Sequence, residues 1–431
     1  MRAAGRRPRK TALAAAAALG LSLLAACGGG DEGPPTLTWY INPDTGGQED
    51  LAAKCTKEAG GAYEITTSGL PTDATAQREQ LLRRLAGSDE SVDLMSLDPP
   101  FTAEFASAGF LAPIPQDRAS EFTDGIFESA VTSATWEEEL VVVPFWANTQ
   151  LLWYRKSVAK AAGLNMNKPV TWDQIVQAAA KEDKTVAAQG LLYEGYTVWI
   201  NALVESAGAN VVTNPEAPPE DIELGLDSPE GKEAAKVIEE VDDVGGPALS
   251  TQDEEGARRL FQGDTGGFLV NWPYVWAAWL GEVDAKTLPQ SVVDDIGWTT
   301  YPRVTEGEPA RPPLGGIHIG IGAFSEYQEE ALDAAACITT EENQKEYMLT
   351  NGNPAAAKAV YKDPEIRKTY PMADAIVAGL EAAAPRPLTP YYTEVSSSIQ
   401  REFHPPSSVS AESPEAAADL ILGVMNGEVL L

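Results

Sequence analysis

Apolar and polar positions alternate through Thr36-Leu37-Thr38-Trp39-Tyr40-Ile41, where β-branched and aromatic residues dominate, and this predicts a strand. Helical spacing then runs from Gln48 to Ala59 and stops at Gly60-Gly61. A second strand is predicted over Ala62 to Thr67 and a second helix over Ala74 to Ala86. A third strand, Val92 to Leu97, closes on Asp98-Pro99-Pro100, and the helix Phe101 to Ala108 ends at Gly109. Strands alternating with helices at this spacing predict an α/β fold built on a mostly parallel sheet flanked by helices. Ligands in such sheets sit beyond the carboxyl ends of the strands, which here carry Asn42, Asp44 and Asp98.

The pattern changes after a short strand at Leu140 to Pro144. Helices are predicted over Trp172 to Lys181, Gly195 to Ala207, Ser228 to Asp242 and Glu254 to Phe261. Strands are predicted over Gly267 to Asn271 and Ile296 to Tyr301, Leu314 to Ile321 alternates apolar and small residues, and a proline-rich break interrupts Pro385 to Pro390. About 400 residues exceed what one hydrophobic core usually serves, so two lobes are expected. The reading divides the chain into a first lobe at residues 36–146 and 304–343 and a second at 147–303 and 344–431.

The start of the chain has a different character. Arg2, Arg6, Arg7, Arg9 and Lys10 precede an apolar run from Ala12 to Ala26, too short for a comfortable bilayer span, and Leu24-Ala25-Ala26 leads into Cys27. Residues 1–26 read as a secretory signal, and residues 27–35, with Gly28-Gly29-Gly30, as a flexible tether. Its end resembles a bacterial lipobox, which implies cleavage before Cys27 and a lipid on that residue.

Charge narrows the partners. The whole chain carries 31 Lys+Arg against 64 Asp+Glu, and losing the basic leader would take the formal charge from −33 to about −38. Such a surface repels nucleic acid and leaves the acyl chain to hold the protein at the outer face of the membrane. Cys55 and Cys337 form an even pair in an oxidising compartment and so a candidate disulfide, the alternative being two buried thiols. With no cysteine cluster and only His318 and His404 as imidazoles, neither a metal site nor a cofactor is expected.

Val143 to Arg155 (Val-Pro-Phe-Trp-Ala-Asn-Thr-Gln-Leu-Leu-Trp-Tyr-Arg), Thr171-Trp172-Asp173, Phe261-Gln262-Gly263, Asn271-Trp272-Pro273 and Gly315-Gly316-Ile317 occur in an order that resembles the maltose-type sugar-binding proteins of ABC importers. Tyr193-Glu194-Gly195, Tyr370-Pro371-Met372, Pro390-Tyr391-Tyr392 and Phe403-His404-Pro405-Pro406 are similar to the trehalose-binding lipoproteins within that family. The resemblance implies a two-lobed periplasmic-binding-protein-like fold with hinge crossings between the lobes. It further implies a monomer that closes on a disaccharide and delivers it to the permease's transmembrane subunits.

A sugar needs planar aromatics against its rings and donors and acceptors around its hydroxyls. Trp272, at a strand end before a proline, is the expected platform, with Trp146 an even alternative; Trp39, Trp276 and Trp279 read as packing residues. Asn42, Gln77 and Asp98 from the first lobe and Asn148 beside the crossing are the expected polar contacts. Tyr193, Glu255 and Arg401 complete the set, and Gly315 and Gly316 would admit a close backbone approach. The run Asp253-Glu254-Glu255 leaves the register open by one residue, as Gln77 and Gln80 do by one turn. Maltose or another short glucoside is the alternative ligand. A non-transport sugar sensor shares the anchor and the fold, and a glycoside hydrolase would need two carboxylates about 5 to 10 Å apart. Neither a Gly-x-Ser-x-Gly elbow nor a His-Glu-x-x-His pair follows the leader, and the reading is of a binder rather than an enzyme. Mass spectrometry of membrane-derived protein should find a diacylglycerol adduct on Cys27, absent from Cys27→Ala.

Overall fold

The computed structural model describes residues 33–431, so Cys27, the leader and most of the tether lie outside the described residues. Among the described residues, eleven strands fall into three sheets: β1 Thr36–Ile41, β2 Glu64–Gly69, β3 Leu94–Leu97, β4 Thr135–Trp136, β5 Glu139–Leu140, β6 Val143–Thr149, β7 Leu151–Arg155, β8 Thr185–Ala187, β9 Gly266–Asn271, β10 Ile296–Thr299 and β11 Leu314–Ile321. The first lobe is built on the order β2-β1-β3-β11-β6 and the second on β10-β7-β9-β8, while β4 and β5 form a small hairpin.

Neither sheet is purely parallel. In the first, β1 pairs parallel with β2 and β3, while β11 runs antiparallel to β3 and β6. In the second, β7 runs antiparallel to β9 and β10, and β8 pairs parallel with β9. Each sheet thus holds one reversed strand, and each reversed strand is one by which the chain enters that lobe from the other. The cause is geometric. Strands β1, β3, β6 and β9 point their carboxyl ends at the space between the lobes, and a chain that crosses there starts its next strand at that edge and must run away from it. The mostly parallel sheets expected from the helix-strand alternation are present, four of five strands in the first sheet and three of four in the second running one way, and these two strands make the sheets mixed.

The crossings also differ in position from the sequence reading. Strand β6 stays in the first sheet through Thr149, so the chain changes lobes at Gln150 rather than after Trp146. Beyond residue 344, Tyr347 still belongs to the first lobe, with its ring centroid 4.9 Å from that of Phe145. Helices Tyr392–Phe403 and Ser413–Met425 then join the second lobe's core with Trp172, Tyr196 and Trp199. A handover across a single residue between two strands leaves no turn residue to mark it.

Each lobe has its own apolar core, around Trp39, Phe145 and Tyr347 in the first and around Trp172 and Trp199 in the second. A further cluster straddles the crossings, joining Ala147 and Leu314 to Leu151, Trp153 and Trp279 and to helix Ala373–Ala382. Cys55 on helix Gly47–Glu58 and Cys337 on helix Gln328–Ile338 are joined by a disulfide with Cα atoms 5.9 Å apart, which ties two helices covering one face of the first sheet.

His318 in β11 is 1 % exposed; its Nε2 lies 2.9 Å from the Ser133 hydroxyl, and its Nδ1 has no partner. Burial pushes its pKa down to about 3, against about 6.5 in an unfolded chain. The folded state therefore holds the ring neutral while the unfolded chain takes up a proton. The associated stability is complete above pH 6.5 and is lost as the pH falls toward 3. At pH 5 the loss should be about 2 kcal/mol relative to neutral pH. Chemical denaturation at both pH values should show His318→Gln losing less than the parent by about that amount.

Candidate functional site

A cavity of about 360 Å³ opens between the lobes, lined from the first by Asn42, Asp73, Gln77 and Asp98 and from the second by Tyr193, Glu194, Glu254, Trp272 and Tyr274. Residues beside the crossings, Trp146, Asn148, Gly315, Gly316 and Arg386, close its floor. The strand ends account for most of these positions. Asn42 follows β1, Asp98 follows β3 and is held by Pro99-Pro100 in a short 3-10 turn, and Trp272 follows β9.

Trp272 is set by a chain of contacts through Asn271, which is fully buried. The Asn271 side chain accepts from the Trp272 amide at 2.8 Å and donates to the Glu254 carbonyl at 2.9 Å, and its own carbonyl accepts from the Trp153 indole at 3.0 Å. One buried amide thus fixes the platform relative to the first turn of helix Glu254–Gln262. The indole reaches across to the first sheet, where a Cβ on Gly315 would stand 2.9 Å from its ring. Gly316 has a φ of +130°, and a Cβ there would meet the Trp146 carbonyl at 2.3 Å. The two glycines therefore serve the platform and the strand bulge beside it, as well as the openness of the cavity.

The most concentrated polar contacts surround Arg386. It lies in the proline-rich segment after helix Ala373–Ala382, 4 % exposed, and donates to Asp98 at 2.5 Å and to Glu194 at 2.6 Å. Asp98 belongs to the first lobe and Glu194 to the second, so one guanidinium joins both. Glu194 also accepts from Ser396 at 2.7 Å and from the Tyr392 hydroxyl, and the Tyr392 ring packs edge-on against Phe101 with centroids 5.8 Å apart. Burial pushes the Asp98 carboxyl upward and Arg386 opposes the shift.

Several cavity atoms are left without partners. Asn42 Oδ1, Trp146 Nε1 and Arg386 Nε are buried and unpaired, and the Tyr193 hydroxyl lies against the Glu254 carboxylate without completing an aligned bond. Asn148 accepts from the Thr149 amide at 3.0 Å, and Gln77 donates to the Pro71 carbonyl at 2.8 Å; each also lines the cavity. Buried polar atoms are rarely left unpaired, and these four belong to residues that line one space bounded by both lobes. No helix among the described residues is long and apolar enough to cross a membrane, and no group of three or more His, Cys, Asp or Glu among them could hold a metal.

Residues 43–345 match the family described as bacterial extracellular solute-binding protein. The chain belongs to this family. Maltose-bound MalE3 of T. maritima is similar to this binding protein across 91 % of the chain and 100 % of its own length, at 25 % identity and a TM-score of 0.77. The cyclic alpha-maltosyl-1,6-maltose binding protein of Arthrobacter globiformis has a TM-score of 0.72 at 19 % identity, covering 92 % of this chain and 100 % of its own. A probable ABC transporter-binding protein of Deinococcus radiodurans is 27 % identical over 275 residues, 61 % of this chain and 62 % of that protein. The chain thus spans about three-fifths or less of the length of the curated relatives it matches.

Of the residues expected in the site, Asn42, Gln77, Asp98, Asn148, Tyr193, Trp272, Gly315 and Gly316 line the cavity. Glu255 does not: it pairs with Arg258 at 2.9 Å, and Glu254, about 100° away on the same helix, faces the cavity instead. Arg401 stands on the outer side of helix Tyr392–Phe403, exposed, 3.8 Å from Glu402 and in a shallow depression with Leu192 and His404. The arginine of the cavity is Arg386. Its setting between Pro385 and Pro387, inside a break between helices, was the available signal. Arg386→Gln should leave Asp98 and Glu194 facing each other without a counterion. Truncating one partner of a buried ion pair costs about 3 to 5 kcal/mol. Denaturation should show a loss of that order, and small-angle scattering a larger radius of gyration for the unliganded variant.

Proposed function

We propose that this binding protein captures a disaccharide, trehalose, between its lobes, releases it unchanged to the permease of an ABC importer, and is held at the outer face of the membrane by a lipid on Cys27. One observation carries the reading: unpaired polar atoms from both lobes surround an indole platform in a single cavity. A sugar offers apolar ring faces to such an indole and hydroxyls that both donate and accept around it. The cavity volume lies within the range of about 300 to 1,000 Å³ usual for small-molecule sites. Polar groups line the cavity from both lobes, Asn42 and Gln77 from the first and Tyr193 and Glu254 from the second, and could serve two similar hydroxyl rims.

Maltose is the second reading, favoured by the likeness to a maltose-bound protein along nearly the whole chain. Under either sugar, ligand contacts made to both lobes at once favour the closed form, which is what a permease could distinguish from the empty one. Calorimetry against a sugar panel should give a dissociation constant around micromolar for trehalose, about 8 kcal/mol, and at least tenfold weaker binding of maltose. Trp272→Ala and Asp98→Asn should each weaken binding about tenfold to a hundredfold. Binding of maltose alone would overturn the trehalose assignment, and recovery of glucose after incubation would overturn the transport role.

A further inference from the structure

We infer that Glu254 forms an amine subsite, so that the cleft takes amino-substituted disaccharides in preference to their neutral parents. The inference deepens the disaccharide reading and rests on it. Four acids line the cavity, Asp98, Glu194, Glu254 and Asp73, against a single base, Arg386, and Asp73 accepts from the Ala76 amide as a helix cap. Arg386 is committed to the first two, through separate guanidinium nitrogens. Glu254 is left over.

The surroundings of Glu254 supply no cation. Asp253 and Glu255 flank it on its own helix, Asp253 capping the Gly256 amide and Glu255 engaged by Arg258. Arg258 is shared with Glu282 and Gln262, which turns it away from the cavity. Across from Glu254 stand Tyr193, Trp272 and Tyr274, all neutral, and burial holds its carboxyl above the usual range. The Tyr193 hydroxyl beside it is buried and not fully engaged, and the Arg386 Nε across the cavity is likewise buried and unpaired. Both mark the space as one a ligand completes.

Glu254 stands at the first position of a helix, where the dipole amounts to about half a positive charge and favours the ionised carboxylate against the burial that opposes it. A ligand hydroxyl would add a neutral donor to that arrangement. A protonated amine would add a full opposite charge in a partly buried site, and charge-assisted hydrogen bonds are roughly twice as strong as neutral ones. Asp98 and Glu194 with their shared arginine leave one further negative charge in the same field, which also favours a cation and disfavours an anionic sugar. A sugar carrying a phosphate or carboxylate should therefore be refused.

The test is calorimetry on the mature protein with trehalose, maltose and the mono-amino-deoxy analogues of each, at pH 6.5 in low salt and in 0.5 M salt. At least one amino regioisomer should bind fivefold or more tightly than its parent sugar. Glu254→Gln should abolish that preference, read as the ratio of amino-sugar to parent affinity whatever the change in the parent's own, and Asp284→Asn, which removes a charge from an exposed surface, should keep it. If no amino regioisomer binds more tightly than its parent, or if the preference survives in Glu254→Gln, the subsite is refuted while the disaccharide reading stands on the neutral sugars. If amino sugars bind and no neutral one does, the subsite holds and the trehalose reading falls.

Discussion

A guanidinium that is 4 % exposed must be neutralised where it stands, and Arg386 meets that demand with one carboxylate from each lobe. Much of the cleft follows from this. Asp98 is presented at the end of β3 by the two prolines after it, and Glu194 by the first turn of helix Glu194–Ala207, so the arginine measures the distance between the lobes at their floor. Tyr392 and Ser396 also donate to Glu194, one to each carboxylate oxygen. The segment carrying Arg386 is itself fixed, because Leu314 donates to the Ala384 carbonyl and Ala384 to that of Pro312. A third crossing is thereby stitched to the start of β11, and the arginine inherits its position from the hinge.

The sequence made the repeating parts legible and left the exchanges between them obscure. Strand Thr36–Ile41 and helices Ala74–Ala86 and Trp172–Lys181 have the bounds that the sequence predicts, and local signals mark the helices: Asp73 caps the first and Gly87 follows it, and Thr171 with Gln174 forms a capping box on the second. Trp272 could be read because a strand end, an asparagine and a proline stand together. Glu254 and Glu255 could not be separated, for two adjacent acids in a first helical turn satisfy the helix equally well; which one faces the ligand depends on how Asn271 holds the helix against β9. Arg401 and Arg386 pose the same difficulty at longer range. An arginine in a helical run and an arginine between prolines are both compatible with an exposed surface, and only the convergence of Asp98 with Glu194 distinguishes them.

The reversed strands show why the crossings resisted the sequence reading. A strand's direction in its sheet is not encoded in its own alternation: β11 reads as apolar and small residues in turn whichever way it runs. Direction is decided by where the preceding segment arrives, and here it arrives at the cleft edge. The same constraint brings the amino-terminal ends of β7 and β11 to the site. That is why Gly315 and Gly316 contribute from the start of a strand, whereas Asn42, Asp98 and Trp272 contribute from just beyond strand ends.

The bridge through Arg386 does not by itself decide whether the cleft stands open. Taking charges out of water costs several kcal/mol per ion, and the attraction regained in the interior often does little more than offset it. On opening, Asp98 and Arg386 would recover water in exchange for each other, so the pair contributes alignment more than net stability. Moving a two-state equilibrium from 1:99 to 99:1 takes about 5.5 kcal/mol of differential affinity, and that has to come from groups engaged only when both lobes reach the ligand. The unpaired atoms of Asn42 on one lobe and the Tyr193 hydroxyl on the other are of this kind. Each pays nothing to remain hydrated in an open cleft and is left wanting in a closed, empty one. The arginine sets the geometry of closure, and the ligand supplies the free energy for it.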